Sequence, residues 1–244
     1  MKQSNKLKVG ITHGDINGIG YEVILKALED ATITELCTPV VYGSAKIAQF
    51  YRKALNMQQP QFCQIASASE AREGECNIIN VVDEDTKVEP GQSTAIAGKA
   101  AFAALEQAVS DLRQGLIDVL VTAPINKQNI QSDTFRFPGH TEYLEASIGD
   151  GNDKALMILC CDNVRVALAT THMPIAKVAE AITAENVLEK IKLLNSSLQR
   201  DFKISTPRIA VLALNPHAGD NGLLGQEEED IIKPAIEQAR SCKI

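Results

Sequence analysis

No run of the sequence is both long and apolar enough to cross a bilayer. The opening residues Met1 to Lys8 are polar and basic, and the apolar stretch behind them is short before Thr12, His13 and Gly14 intervene. Neither a membrane span nor a secretion signal is expected, which points to a soluble, cytoplasmic protein. A basic footprint is missing too. Lys and Arg number 24 against 31 Asp and Glu, for a net charge of −7 with the cations scattered, so nucleic acid is not an expected partner. An anionic substrate would have to be met by charge or backbone donors concentrated locally. The cysteines at 37, 63, 76, 160, 161 and 242 contain no C-x-x-C pair. Cys160 and Cys161 are neighbours in an apolar run, where successive strand side chains face opposite ways, so they do not read as a metal pair. Reduced, packed thiols are expected instead. Repeats and low-complexity tracts are absent.

What is present reads as a folded α/β protein. Hydrophobic residues make up 45% of the 244 and charged residues 23%, enough for one large domain or two smaller ones sharing a cleft. Strand-like runs at Leu7 to Thr12, Pro39 to Tyr42, Asn77 to Val82 and Ile117 to Val121 alternate with helical patterns. The helices are expected at Tyr21 to Leu28, from Ser44 as N-cap to about Leu55, and within Gln92 to Gln114. That alternation predicts a mostly parallel sheet covered by helices. The polar loop Asp83 to Gly91 reads as a local excursion. The middle departs from the alternation. Ala155 to Leu159 and Val164 to Thr170 are separated by only Cys160 to Asn163, a spacing that predicts an antiparallel hairpin and hence a mixed sheet. Helices from near Pro174 and over Thr183 to Arg200, a strand at Arg208 to Leu214, and a helix from Gln226 complete the expectation.

Three of the four histidines stand in loops beside Gly or Pro: Pro138-Gly139-His140-Thr141, Thr171-His172-Met173-Pro174 and Asn215-Pro216-His217-Ala218-Gly219. The last two loops follow apolar runs directly, and in open α/β sheets ligands bind outside the carboxyl ends of the strands. His172 and His217 read either as loop histidines bonded to backbone or as members of a shared metal or catalytic site. Two imidazoles are one short of the three protein ligands of a catalytic zinc site. His13, at the end of the first strand, has no evident ligand partner and is given no role.

The loop Gly14-Asp-Ile-Asn-Gly18-Ile-Gly20 has G-x-x-x-G-x-G spacing, which is not the Rossmann G-x-G-x-x-G turn. It reads either as an anion-facing helix start or as a tight turn with close packing. In Thr122-Ala-Pro-Ile-Asn-Lys127 a lysine follows an apolar strand, where it can hold phosphate, shuttle a proton, or simply be solvated.

The segments ITHGDINGIGYE (11–22), VTAPINK (121–127), FPGHTEYL (137–144), ALATTHMP (167–174) and LNPHAGDNGLLGQEE (214–228) together resemble the 4-hydroxythreonine-4-phosphate dehydrogenase family in order and spacing, over essentially the whole chain. The resemblance implies two α/β subdomains around a cleft, like isocitrate and isopropylmalate dehydrogenases, in a homodimer with its active site at the subunit interface. By the same resemblance His140 and Thr141 contact substrate, His172 and His217 ligate a divalent metal (zinc, magnesium or cobalt), and NAD or NADP takes the hydride. The implied reaction oxidises a small phosphorylated hydroxy-amino acid, 4-hydroxythreonine 4-phosphate, and decarboxylates it to 3-amino-2-oxopropyl phosphate for the pyridoxine ring.

Position 13 departs from the family, where proline or methionine is common. The family's third metal histidine, in a Y-H-D-Q-G motif, and the substrate-contacting lysine, asparagine and arginine after it have no counterpart here. The resemblance therefore implies a two-subdomain unit lacking the family's C-terminal segment and inactive by itself. Alternatives are an erythronate or threonate 4-phosphate dehydrogenase on the same scaffold, and a non-catalytic, truncated metal-binding dimer.

Overall fold

The structure is a computed structural model describing residues 6–83, 85–148 and 154–244, so most of the basic amino terminus lies outside the described residues. The chain divides into two compact units, Met1–Lys154 and Ala155–Ile244.

The first unit is built on β1 (Leu7–Thr12), β2 (Cys37–Gly43), β3 (Phe62–Gln64), β4 (Cys76–Asn80) and β5 (Val119–Thr122), in the order β3-β4-β2-β1-β5 with every pairing parallel. The helices are α1 (Gly20–Glu29), α2 (Thr32–Leu36), α3 (Ala45–Ala54), α4 (Ala95–Arg113) and α5 (His140–Ile148). Strand β2 is apolar almost throughout because both its faces are covered, and Val40, Val41 and Tyr42 are fully buried. Helix starts follow the side-chain chemistry. The Ser44 hydroxyl accepts from the Ile47 amide at the head of α3, and the Thr94 hydroxyl accepts from the Ala97 amide at the head of α4. Helix α4 lays a row of small residues, Ala97, Ala101, Ala104 and Ala108, into the core at helical spacing. It is tied to β2 by the Tyr42 hydroxyl, which donates to Asp111 at 2.7 Å. Helix α1 buries Tyr21, Ile24, Leu25 and Leu28, each worth about 1.5–3 kcal/mol in area removed from water.

His13 is the unexpected member of this core. It is fully buried, stacks on Tyr21 at 5.4 Å between centroids, and Tyr21 in turn stacks on Tyr51. Neither ring nitrogen has a hydrogen-bond partner of good geometry. Burial pushes its pKa down to about 4, and the neighbouring Gly14 and Ala100 backbone offsets only part of that.

In the second unit β6 (Ile158–Cys161) and β7 (Val164–Ala167) form the expected hairpin, antiparallel with Cys161 opposite Val164 and Asp162 left-handed in the turn. Three expectations are corrected. The sheet is not mixed: the five strands of the first unit are all parallel, and β6 and β7 form a separate two-stranded sheet. Residues 208–214 pair with no strand among the described residues. Their apolar alternation is real, with Ile209, Val211 and Leu214 packed on the core while Leu212 is exposed, but extended chain becomes sheet only where a neighbour takes its backbone bonds. Between this segment and β7 runs a largely apolar groove of about 690 Å³. The thiols are also less packed than expected: Cys76 is buried, whereas Cys160, Cys161 and Cys242 are exposed.

The helical stretch after Pro174 is a 3₁₀ turn at Ile175–Lys177 running into the short α6 (Val178–Ala181). Helix α7 (Ala184–Arg200), capped by Thr183, packs with a π turn (Glu228–Ile232) and α8 (Lys233–Ser241) around Val187, Ile191, Ile232, Ala235 and Ala239.

The His13 environment gives a signed pH prediction. Above its ordinary value of 6.5 the imidazole is neutral in both states. Below it, the unfolded chain takes up a proton that the folded chain refuses until about pH 4, so stability falls with pH across that window. The loss is about 1.4 kcal/mol per pH unit, or about 2 kcal/mol on going from about pH 7 to about pH 5. Urea denaturation of wild type and His13→Asn at both pH values should show this difference in wild type and its removal in the variant. Equal pH slopes in the two proteins would refute the assignment.

Candidate active site

The loops leaving β1 and β5 lie side by side because the strands are paired neighbours, Thr12 opposite Thr122. They are joined by backbone: the Ala123 amide donates to the Thr12 carbonyl at 3.1 Å and the Asp15 amide to the Pro124 carbonyl at 2.9 Å. Such approach requires glycine. A Cβ on Gly14, which has φ +68, would stand 2.3 Å from the Pro124 oxygen, and one on Gly20 would stand 2.1 Å from the His13 oxygen.

Several of the loop's donors are used within the protein. The Asn17 amide donates to Asp15 Oδ1 and the Gly18 amide to the Asp15 carbonyl. The Asn17 side chain accepts from the Glu89 amide and donates to the Gln92 carbonyl and the Thr94 hydroxyl, while the Asn17 main-chain carbonyl accepts from the Gly91 amide. Of the two readings of the Gly14–Gly20 loop, the tight turn with close packing is the one the structure supports. The polar excursion up to Gly91 is thereby stitched to the same loop. Asn17 was not singled out from the sequence, where an asparagine among glycines is an ordinary turn residue.

Past β5, the Asn126 side chain accepts from the amides of Gln128 and Asn129, turning the chain so that Lys127 is exposed. Lys127 reaches the head of α5, its Nζ 4.0 Å from where a Cβ on Gly139 would lie. His140 and Thr141 open that helix, both half-buried. An aromatic cluster fixes their backbone: Phe135, Phe137 and Tyr143 lie 5.3–5.5 Å apart, with Phe102 of α4 edge-on to Phe135 and Tyr143. His140 Nε2 is shut from solvent without a hydrogen-bond partner, and burial, then the charge of Lys127, hold the imidazole below its ordinary pKa. The result is a neutral imidazole with an unused nitrogen beside an ammonium group. Such an imidazole can hydrogen-bond a substrate hydroxyl once the head of α5 opens to expose Nε2, and the ammonium group can attract an anion.

In the second unit His172 and His217 are exposed, and both have left-handed backbone, φ 50 and φ 53. His217 begins six consecutive residues with positive φ, 217–222, of which His217, Ala218, Asp220 and Asn221 are not glycine. Left-handed backbone costs about 1–2 kcal/mol per ordinary residue, least for Asn and Asp, so this turn must be held from outside. Glu228, 4% exposed, holds it. The amides of Leu214 and Asn215 donate to its Oε1 at 2.9 and 2.6 Å, and Asn215 Nδ2 donates to its Oε2 at 3.0 Å. Those bonds, the one from the Asn215 amide foremost, hold the carboxyl below the ordinary carboxylate range. From sequence Glu228 was one of several acidic residues opening a helix, with nothing to distinguish it.

The metal expectation meets a shortage of donors: among the described residues no three His, Cys, Asp or Glu are grouped to hold an ion. His172 and His217 are suitable donors by type, but they do not amount to a complete site.

The family model described as pyridoxal phosphate biosynthetic protein PdxA matches residues 35–244. The chain belongs to the PdxA family. The 4-hydroxythreonine-4-phosphate dehydrogenase of Bacteroides thetaiotaomicron is 54% identical over 236 residues, 97% of this chain but 64% of that protein, so this chain spans less than two thirds of that relative. A Clostridium botulinum protein named for D-threonate 4-phosphate dehydrogenase activity is 33% identical over 97% of this chain and 71% of its own length. Among solved structures, a 4-hydroxythreonine-4-phosphate dehydrogenase from Burkholderia phymatum superposes with a TM-score of 0.82 at 36% identity, covering 97% of this chain and 72% of that one. The PdxA architecture accounts for the α/β fold with its mainly parallel central sheet.

The contact between Lys127 and His140 is open to direct measurement. Lys127→Met should raise the His140 pKa toward, but not up to, its ordinary value, because burial, the larger cause, remains. Imidazole proton titration by NMR reads this. An unchanged His140 midpoint would show that the two groups are not coupled.

Proposed function

We propose that the protein serves the NAD- or NADP-dependent oxidation of 4-hydroxythreonine 4-phosphate in pyridoxal phosphate synthesis. The observation that carries this reading is the unused Nε2 of a neutral His140 beside the Lys127 ammonium, within a family whose Bacteroides member is 54% identical. Oxidation at C3 needs the hydroxyl held and its proton removed while hydride passes to a nicotinamide, and the β-keto acid formed then loses carbon dioxide. In this proposal His140 and Thr141 orient the substrate's polar groups and Lys127 attracts its anionic end. His172 and His217 are assigned as two donors to a divalent ion, zinc, magnesium or cobalt. The described residues do not complete that site. Oxidation of D-threonate 4-phosphate is the second reading, favoured by the Clostridium relative.

The same proposal includes a homodimer formed through the β6–β7 hairpin. Leu159 lies opposite Val166 and Cys161 opposite Val164, so these side chains share one face, and Leu159, Val164 and Val166 are 56%, 60% and 42% exposed. A two-stranded sheet is marginal in water by itself, so an apolar face of this kind favours a covering partner.

Two experiments test these assignments. Formation of reduced nicotinamide by absorbance should favour 4-hydroxythreonine 4-phosphate over D-threonate 4-phosphate, with Lys127→Ala lowering turnover by about a hundredfold. The assay is run on a chain that carries the family's C-terminal segment: there, preference for the threonate would move the function to the second reading and no turnover of either would remove the oxidoreductase reading, whereas the 244-residue chain is expected to turn over neither. Sedimentation should show a dimer in wild type and a monomer in Val164→Asp. A monomeric wild type at micromolar concentration would dispose of the interface.

A further inference from the structure

We infer that Glu228 is the positioning residue for His217: its carboxylate clamps the Leu214 and Asn215 amides and so sets the left-handed turn that presents the imidazole. The inference rests on the reading of His217 as a donor only for its consequence, not for the clamp. Four features carry it. A single carboxylate takes three hydrogen bonds from two successive residues, at 2.6–3.0 Å, just before the histidine turn begins. Its second oxygen also faces the turn from inside, 2.9 Å from where a Cβ on Gly219 would stand. Asn215 is held from a second side, its Nδ2 donating to Glu227 at 2.7 Å. Finally, Glu228 opens the π turn Glu228–Ile232, whose far end, Ile232, is buried in the core with Val187 and Ile191. The extra residue of a π turn re-aims the side chains around it, and such turns are frequent at functional sites.

Within the turn, which begins in a distorted 3₁₀ turn at Pro216–Gly219, backbone bonds link Ala218 to Asn215, Asp220 to His217 and Leu224 to Gly219, a chain of short-range contacts. Local bonds of that kind fix the turn's shape but not its direction. The direction comes from Asn215, and Asn215 is fixed by Glu228. A carboxylate suits the task because it accepts only and offers both oxygens at once. Glutamine keeps one carbonyl oxygen for the two amides but replaces the other acceptor with a donor, which meets the donating Asn215 Nδ2.

The test uses the 244-residue chain as wild type, Glu228→Gln and Glu228→Ala, with amide hydrogen exchange resolved by residue. Glu228→Ala should speed exchange at Leu214, Asn215, Asp220 and Leu224 by about a hundredfold or more, leave Val187 and Ile191 within α7 unchanged, and be partly rescued in Glu228→Gln. Unchanged loop exchange overturns the inference. So does a uniform increase across the second unit, which would make Glu228 a general stabiliser. Cobalt(II) titration followed by visible absorbance supplies the second readout, with affinity expected to fall in Glu228→Ala and to recover in part in Glu228→Gln. If the loop opens and cobalt(II) affinity stays at wild type, the clamp stands and the metal reading of His217 falls.

Discussion

The hydrogen bond from the Asp15 amide to the Pro124 carbonyl is the contact on which the first unit's candidate site depends. It forms because β1 and β5 are adjacent and parallel, so their outgoing loops emerge at the same edge of the sheet. Gly14 and Gly20 are the residues that allow the backbones to come so close. Once the loops are joined, Asp15 Oδ2 accepts from Asn129 Nδ2, fixing the turn that carries Lys127, while Asn17 gathers residues 89–94 and with them the start of α4. Helix α4 then supplies Phe102 to the aromatic cluster at the head of α5. Thus the positions of Lys127 and His140 both trace to one backbone contact, through different routes.

The second unit has no comparable platform. Its hairpin stands apart from any larger sheet, and its two loop histidines rest on left-handed backbone rather than on the ends of paired strands. Order here comes from the α7, π-turn and α8 packing, and it reaches the His217 loop through one buried carboxylate. Few bonds intervene between that helical packing and the loop.

Much of the fold was legible because its signals are local. The strands at Leu7, Cys37, Cys76 and Val119, the cap at Ser44, and the hairpin whose runs are separated by only Cys160 to Asn163 all follow from signals within a few residues. The strand expected at 208–214 failed for a non-local reason: apolar alternation prepares a segment for a sheet but does not supply its neighbour. At the site, glycine spacing excluded a Rossmann turn, yet it left open whether the loop faces a ligand or the protein. The packing of Asp15 and Asn17 favours the protein-facing turn, and their partners lie 72–114 residues away. The buried His13 was illegible for the same reason, since nothing beside it in sequence announces the stack on Tyr21.

The groove and the His217 loop are connected by the same segment. Residues Arg208 to Leu214 line the apolar groove opposite β7, and the segment's last amide is the one at Leu214 that Glu228 holds. Extended chain without a paired neighbour is anchored only by side-chain packing, here Ile209 and Val211 on the α7 and π-turn core, and by whatever bonds its ends make. Asn215 follows Leu214 directly, and the same carboxylate oxygen takes both amides. The groove-lining segment and the root of the His217 turn are therefore continuous in the chain, and the Glu228 carboxylate fixes the junction between them.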